Sequence, residues 1–190
     1  QRISYVGELG WEIYIPTENS KEIYELIITL EKKFGLVHAG AHAMDIMRME
    51  KGYLHWGHDI SPAENPYEAG LAFALKLNKK EDFIGKEFLV NNKNIQKKKL
   101  LMFALSDTTP GNPLLLHDEP IYYEGKIVGE TTSGNYSFTY NKNLAYGYID
   151  AKLDLDLSNS VFEIEVAKKK YKASVLSKVL HDPKNNFIRN

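Results

Sequence analysis

The chain has 190 residues, of which 43% are hydrophobic and 26% charged, as expected for a globular protein with one sizeable core or two small domains. Its 24 Lys and Arg residues balance 25 Asp and Glu residues, and this near-neutral charge argues against a nucleic-acid-binding surface. Because cysteine is absent, disulfides, thiolate metal sites and cysteine nucleophiles are excluded. No apolar run approaches the roughly 20 residues that cross a bilayer, so we expect no membrane partner.

The chain opens on strand-like sequence. Residues 2–6 and 11–15 alternate apolar and polar side chains, and Gly7 and Gly10 lie between them, which predicts a β-hairpin. Because the chain begins without Met and directly in this pattern, we expect it to be the C-terminal piece of a longer polypeptide.

Two helices are predicted next. Asn19 stands at an N-cap position and Gly35 at a C-terminal cap, and apolar residues recur between them at helical spacing. A second helix is predicted over residues 39–50, ending at Gly52. After an ordered loop, residues 69–77 read as a strand and residues 83–90 as a short helix.

The composition changes at the polar run 91–99, and we place a domain boundary there, dividing the chain into domains 1–95 and 96–190. Short strands separated by turn residues follow without intervening helices, which predicts a small antiparallel barrel. The predicted strands are 100–105, 121–123, 126–128, 144–149, 161–166 and 171–176. The predicted fold class is therefore α+β.

Several polar clusters contain residue types that form metal or catalytic sites. His38 and His42 would share a helix face, but no third ligand accompanies them. His55, His58 and Asp59 form a second cluster in the loop, which histidines that hydrogen-bond to the loop backbone also explain. We interpret these histidines as structural and predict no metal site. The hydroxyl run 131–134 has no evident base, so we interpret it as a turn and predict no catalytic residue in this chain.

The predicted hairpin combines aromatic rings with a carboxylate. Tyr5, Trp11 and Tyr14 accompany Glu12, and in a strand Glu12 and Tyr14 would point to the same face. Stacked rings and a carboxylate that accepts from ring N–H groups suit a flat, nitrogen-rich heterocycle. An exposed glutamate on an ordinary aromatic strand explains the same residues.

The same segment carries a family resemblance. Residues 4–14 (SYVGELGWEIY) resemble the Y-x-G-E-x-G-[FWY]-E segment of the glycine-cleavage T-protein, or aminomethyltransferase, family. Further family elements follow in order at 47–60, 65–71, 83–86, 128–134 and 144–148. The resemblance implies the rear part of a folate-binding domain followed by a small antiparallel β-barrel.

Within that family, the sequence is most similar to the C-terminal tetrahydrofolate domain of dimethylglycine and sarcosine dehydrogenases. The features that favour this branch lie at 50–56, 134–138 and 181–185. The T-protein proper has an Arg-Asp pair whose Arg contacts folate, whereas here Met44 precedes Asp45. A simple glycine-cleavage enzyme is therefore less favoured.

The resemblance implies that tetrahydrofolate captures a one-carbon unit as 5,10-methylenetetrahydrofolate, after an N-terminal FAD domain of the same polypeptide has oxidised an N-methyl amine. It implies that Glu12 accepts from pterin N–H groups, that Phe73 stacks on the folate and that Arg189 pairs with a folate carboxylate. The full set of implied folate-binding residues is Tyr5, Glu12, Ile13, Tyr14, Phe73 and Arg189.

Three alternatives stay open: a glycine-cleavage aminomethyltransferase, another folate-dependent methyltransferase or demethylase of the family, and a non-catalytic folate-binding module. A relative in iron–sulfur assembly carries a cysteine motif that this chain lacks. We expect the isolated chain to be inactive, since the family's acid–base aspartate and flavin domain would precede it. We expect a cytoplasmic location, or the mitochondrial matrix in a eukaryote.

Overall fold

The computed structural model describes residues 1–93, 95–153 and 155–189. They form two compact units, the first comprising Gln1–Tyr53 and Val179–Asn190 and the second Leu54–Lys178. The domains predicted from composition, 1–95 and 96–190, divide the chain differently and stay a prediction. The described helices are α1 (Ser20–Ile28), α2 (Glu31–Phe34), α3 (Ala41–Lys51), α4 (Lys86–Asn91) and α5 (Asn186–Arg189).

The first predicted helix forms as two pieces, α1 and α2. The side chain of Thr29 donates to the carbonyl of Leu26 at 2.6 Å, an interaction that competes with the helical pattern where α1 ends. Gly35 ends α2 in the left-handed conformation, as predicted, with φ of 65°. Asn19 precedes α1, but its side chain makes no capping hydrogen bond.

The second predicted helix is confirmed as α3. Gly52 ends it with φ of 82°, and a Cβ there would lie 2.7 Å from a methyl group of Val179, so both conformation and space require glycine. The last turns of α3 bury three charged side chains, Arg48, Glu50 and Lys51. Buried charges need polar partners, and those of Lys51 are described below.

The strand predicted over 69–77 is wrong. Residues Ala72–Ala74 form a single 3-10 turn, and the amides of Ala69 and Leu71 bond to the carbonyls of Asn65 and Pro66. An apolar run cannot by itself distinguish a strand from a tight turn, and here local turn hydrogen bonds take up the amides. The short helix predicted over 83–90 is present as α4.

The barrel is confirmed. Six antiparallel strands close in the order β1-β4-β3-β2-β5-β6. Closure comes from β1 and β6, where Phe103 faces Val175 and Leu105 faces Ala173. The strands are β1 (Lys98–Leu105), β2 (Pro120–Tyr123), β3 (Lys126–Ser137), β4 (Lys142–Asp150), β5 (Val161–Val166) and β6 (Lys169–Val175).

Inward side chains fill the barrel. The ring of Phe162 is fully buried and packs edge-on against Phe103, with centroids 5.4 Å apart. Alternation of buried and partly exposed residues along β5 puts every second side chain inside, as a half-buried strand requires. The rest of the core comprises Leu105, Leu115, Ile121, Ala145, Ile149, Ile164, Val166, Tyr171 and Ala173.

The turn predicted over 131–134 is wrong, because these residues continue strand β3. The register of β3 against β4 shifts between Thr131 and Ser133, which marks a β-bulge. A Cβ on Gly134 would collide with Leu115, so this glycine allows a close approach of chains and does not make a turn. A tight turn at Glu124 and Gly125, both at positive φ, joins β2 to β3.

Candidate functional site

The opening segment, residues 1–16, does not form the predicted hairpin. It contains no strand, although Gln1 and Glu12 exchange two main-chain hydrogen bonds of 2.8 and 2.9 Å. Gly7 adopts φ of 81°, and a Cβ there would lie 2.8 Å from the side-chain carbons of Lys51. The segment therefore bends onto α3, and its backbone leaves the geometry that a strand pair needs.

Glu12 and Tyr14 meet in this segment. The Tyr14 hydroxyl donates to Glu12 Oε2 at 2.6 Å, and no hydrogen bond to Oε1 is present among the described residues. Trp11, Ile13 and Tyr14 are 62%, 66% and 72% exposed. The segment thus presents a carboxylate among exposed apolar groups. Tyr5 lies apart from this pair and stacks on Tyr53, with centroids 6.4 Å apart.

The Glu12–Tyr14 hydrogen bond can be tested through the pKa of Tyr14. The hydrogen bond that Tyr14 donates to Glu12, together with the negative charge of that carboxylate, raises the pKa of the Tyr14 phenol above its ordinary value of 10.0. We expect Glu12→Gln to lower this pKa, because an amide carries no charge. A pH titration of ¹³C-labelled tyrosines by NMR measures it, with Tyr14→Phe assigning the signal. Glu18→Gln is the control, and an unchanged Tyr14 pKa in Glu12→Gln would contradict the contact.

Arg189 lies in the first unit, at the end of α5. Arg189 lines a hollow of about 250 Å³ together with Arg2, Ile3, Leu9 and Ile188, among others. The Arg2 guanidinium donates from Nη2 to the carbonyls of Ile188, at 3.3 Å, and Arg189, at 3.0 Å. The structure thus brings Arg189 beside the segment that carries Glu12.

A buried ion pair holds the start of the same helix. Lys51 Nζ lies 2.7 Å from the carbonyl of Asp182 and 3.2 Å from its Oδ2, and both side chains are buried. The Asp182 carboxylate accepts from the amides of Asn186 and Phe187, at 2.7 and 3.1 Å. Burial raises the pKa of Asp182, but these hydrogen bonds and the Lys51 charge outweigh it, so the pKa lies below its ordinary 3.8.

Sequence reasoning missed the roles of Arg2, Lys51 and Asp182. One signal was available, since an aspartate followed by Pro183 and then Asn185 has the composition of a turn that leads into a helix. Nothing comparable marks Arg2 or Lys51, because their partners lie more than a hundred positions away.

Phe73, His38 and His42 were also singled out from the sequence. Phe73 belongs to the second unit, within the 3-10 turn, and is 80% exposed. His38 precedes α3, where it lies edge-on to Tyr24, so it does not share a helix face with His42. No three metal-ligating side chains converge anywhere in the part of the chain that the structure describes.

The second unit has a buried carboxylate at the loop that contacts the barrel. Asp59 is fully buried; its Oδ1 accepts from the hydroxyls of Thr132 and Ser133, at 2.6 and 2.7 Å, and its Oδ2 accepts from the amide of His55 at 2.8 Å. The Tyr148 hydroxyl donates to the main-chain carbonyl of Asp59 at 2.9 Å. Burial, and then the nearby acidic groups, raise the pKa of Tyr148. These contacts fix the loop on the barrel wall.

This loop and the barrel wall line an open cleft of about 720 Å³. At its rim the rings of His58 and His117 lie 6.4 Å apart, and Lys98 binds Glu64 at 2.6 Å. Hydrogen bonds from Lys98 and Ser61 outweigh burial and lower the pKa of Glu64. Lys98 and Glu64 are therefore paired within the unit.

Two family models match the chain. The GCVT N-terminal domain matches residues 1–79, and the glycine cleavage T-protein C-terminal barrel domain matches residues 98–182.

The chain belongs to the glycine cleavage T-protein family.

Curated relatives of this T-protein family chain include enzymes of different size. Human mitochondrial dimethylglycine dehydrogenase is 39% identical over 99% of this chain, which spans 22% of that protein. The aminomethyltransferase of Alkaliphilus metalliredigens (strain QYMF) is 35% identical over 98% of this chain, and this chain spans 48% of that protein. The chain is thus about a fifth as long as the first relative and about half as long as the second.

A solved T-protein structure has the same fold. The crystal structure of the glycine cleavage system aminomethyltransferase T from Bartonella henselae superposes with a TM-score of 0.80 at 23% identity. The match covers 96% of this chain and 49% of that one. It confirms the predicted fold class, the α+β T-protein fold ending in a small antiparallel barrel, and the first part of this chain is helical. Among the described residues, no helix has the length and apolar character that crossing a membrane requires.

Proposed function

We propose that this chain is the tetrahydrofolate-binding C-terminal part of a flavin-dependent N-methyl amine dehydrogenase acting on dimethylglycine or sarcosine. The observation that carries the proposal is the exposed Glu12–Tyr14 pair within the segment that resembles the family's folate-binding motif. One-carbon capture as 5,10-methylenetetrahydrofolate is the reaction that this assignment implies. The FAD would be held by another domain of the same polypeptide.

The polar and apolar groups near Glu12 are suited to binding a reduced pterin. A pterin presents ring N–H groups in one plane, and Glu12 offers a carboxylate oxygen that accepts no hydrogen bond from the described residues. Hydrogen bonds to a charged acceptor are stronger than neutral ones, so this contact would orient the ring. Ile13 offers apolar surface beside it, and Arg189 offers a cation for a carboxylate. Tyr5 and Phe73 are proposed as further contacts.

Tetrahydrofolate, when bound, supplies the nucleophilic nitrogen that accepts the one-carbon unit. The residues of this chain bind and orient it, and none of them is proposed as an acid or base. The isolated chain is therefore proposed to bind without turnover. Its proposed location is the cytoplasm, or the mitochondrial matrix in a eukaryote.

Binding of tetrahydrofolate to the purified chain tests the proposal. We expect Glu12→Gln to weaken binding by about 1.5–3 kcal/mol, roughly ten- to 150-fold in Kd, since a charged hydrogen-bond partner is lost. Anaerobic calorimetric titration measures the affinity. Glu18→Gln, which changes an exposed carboxylate on the adjacent 3-10 turn, should bind like the wild type. Equal affinities of wild type and Glu12→Gln would refute the assignment of Glu12.

A folate-dependent aminomethyltransferase is the second candidate. It is favoured by the shorter relative, of which the chain spans 48%, and by the shared fold. The two candidates differ in the flavin. Purified full-length polypeptide with a flavin absorbance spectrum that bleaches on adding dimethylglycine or sarcosine supports the dehydrogenase, whereas a colourless, folate-binding polypeptide supports the transferase.

A further inference from the structure

The C-terminal helix α5 is held at both ends by side chains of the first unit. At its start, the Asp182 carboxylate accepts from two α5 amides and is itself held by Lys51. At its end, the Arg2 guanidinium donates to the last two carbonyls. A helix of four residues is not stable by itself, and the carbonyls of its last turn lack helical partners. The position of α5 therefore depends on these contacts.

Arg2 also has a direct connection to the proposed pterin contact. Its neighbour Gln1 exchanges two main-chain hydrogen bonds with Glu12. Gln1 thus bonds to the main chain of Glu12, and the side chain of its neighbour Arg2 bonds to the main chain of Arg189. An Arg donates several hydrogen bonds in a rigid planar array, which suits it to hold two neighbouring carbonyls.

We propose that Arg2 is a positioning residue that sets the location of Arg189 relative to Glu12. Arg189 would bind the glutamate carboxylate of the folate while Glu12 binds its pterin, so the Arg2 contact fixes the spacing between the two ends of the ligand. This inference rests on the proposed function. It assigns to Arg2 no contact with the ligand itself.

Two ligands separate positioning from general damage to the fold. Tetrahydrofolate carries both the pterin and the glutamate, whereas tetrahydrobiopterin carries a reduced pterin without the glutamate. The variants are Arg2→Gln, Arg189→Gln and the double variant, with Lys32→Gln on α2 as an exposed basic control. Circular dichroism and thermal unfolding check that each variant is folded.

We expect Arg189→Gln to weaken tetrahydrofolate binding about tenfold, and Arg2→Gln severalfold, with tetrahydrobiopterin binding unchanged in both. The double variant should bind tetrahydrofolate no more weakly than Arg189→Gln, because Arg2 acts only through Arg189.

Equal weakening of both ligands by Arg2→Gln, or additive losses in the double variant, would overturn the inference. If the wild type binds tetrahydrofolate and Arg2→Gln binds it equally well, this inference fails and the proposed function stands. If the wild type binds neither ligand, the proposed function fails and this inference fails with it.

Discussion

Phe162→Ala is expected to destabilise the protein by about 3–5 kcal/mol, the cost typical of emptying a large aromatic site in a packed core. Phe162 is fully buried, and its ring packs against Phe103 and Tyr123 at centroid distances of 5.4 and 5.2 Å. A closed barrel limits how far the strands can move inward, so a cavity should remain and the loss should lie within this range.

Urea unfolding of wild type and variant, followed by circular dichroism, measures the free energy of unfolding. Phe138→Ala is the control, because Phe138 follows β3 but is 71% exposed and should lose much less stability. A similar loss in both variants would show that burial within the barrel does not govern the effect.

Asp59→Ala is expected to cost about 3 kcal/mol, because hydrogen bonds to charged acceptors and unpaired buried donors each carry a sizeable free energy. The donors that lose this acceptor include the amide of His55 and the hydroxyls of Thr132 and Ser133. The hydroxyls can rotate toward other acceptors, whereas the amide cannot, so the cost should lie below the sum of three separate losses.

The same unfolding measurement tests this variant, with Asp82→Ala as the exposed control. Amide hydrogen exchange adds a local measurement, since residues 55–60 should exchange faster in Asp59→Ala while the strands keep their protection. Unchanged exchange in this loop would mean that Asp59 does not anchor it.

The barrel could be predicted from the sequence because each strand carries its own signal. Alternating burial along β5, and turn residues such as Glu124 and Gly125, depend only on nearby residues. The extent of β3 could not be predicted in the same way. The neighbouring sequence indicates that Gly134 is a turn residue. In the structure, its lack of a side chain leaves space for Leu115, which is distant in sequence.

The opening segment shows the opposite case. Its alternation predicts a hairpin, but the segment packs on α3 through Gly7 and Lys51, and the pairing of Gln1 with Glu12 forms no strand. The prediction that Glu12 and Tyr14 point the same way nevertheless agrees with the structure, since the Tyr14 hydroxyl donates to Glu12.

The candidate site was predictable only where a local motif carries it. Glu12 and Tyr14 are within one motif, and Arg189 was assigned by resemblance. The contacts that hold the two ends of α5 join residues more than a hundred positions apart, Arg2 with Arg189 and Lys51 with Asp182. No periodicity or spacing encodes such pairs in a single sequence.

The pairing of β1 with β6 also bears on biosynthesis. The first strand of the barrel is made some seventy residues before the last, and until β6 emerges both β1 and β5 present a row of unpaired amide and carbonyl groups. Such exposed strand edges invite pairing with other nascent chains. Pairing of β6 with both β1 and β5 is therefore the step that covers these edges.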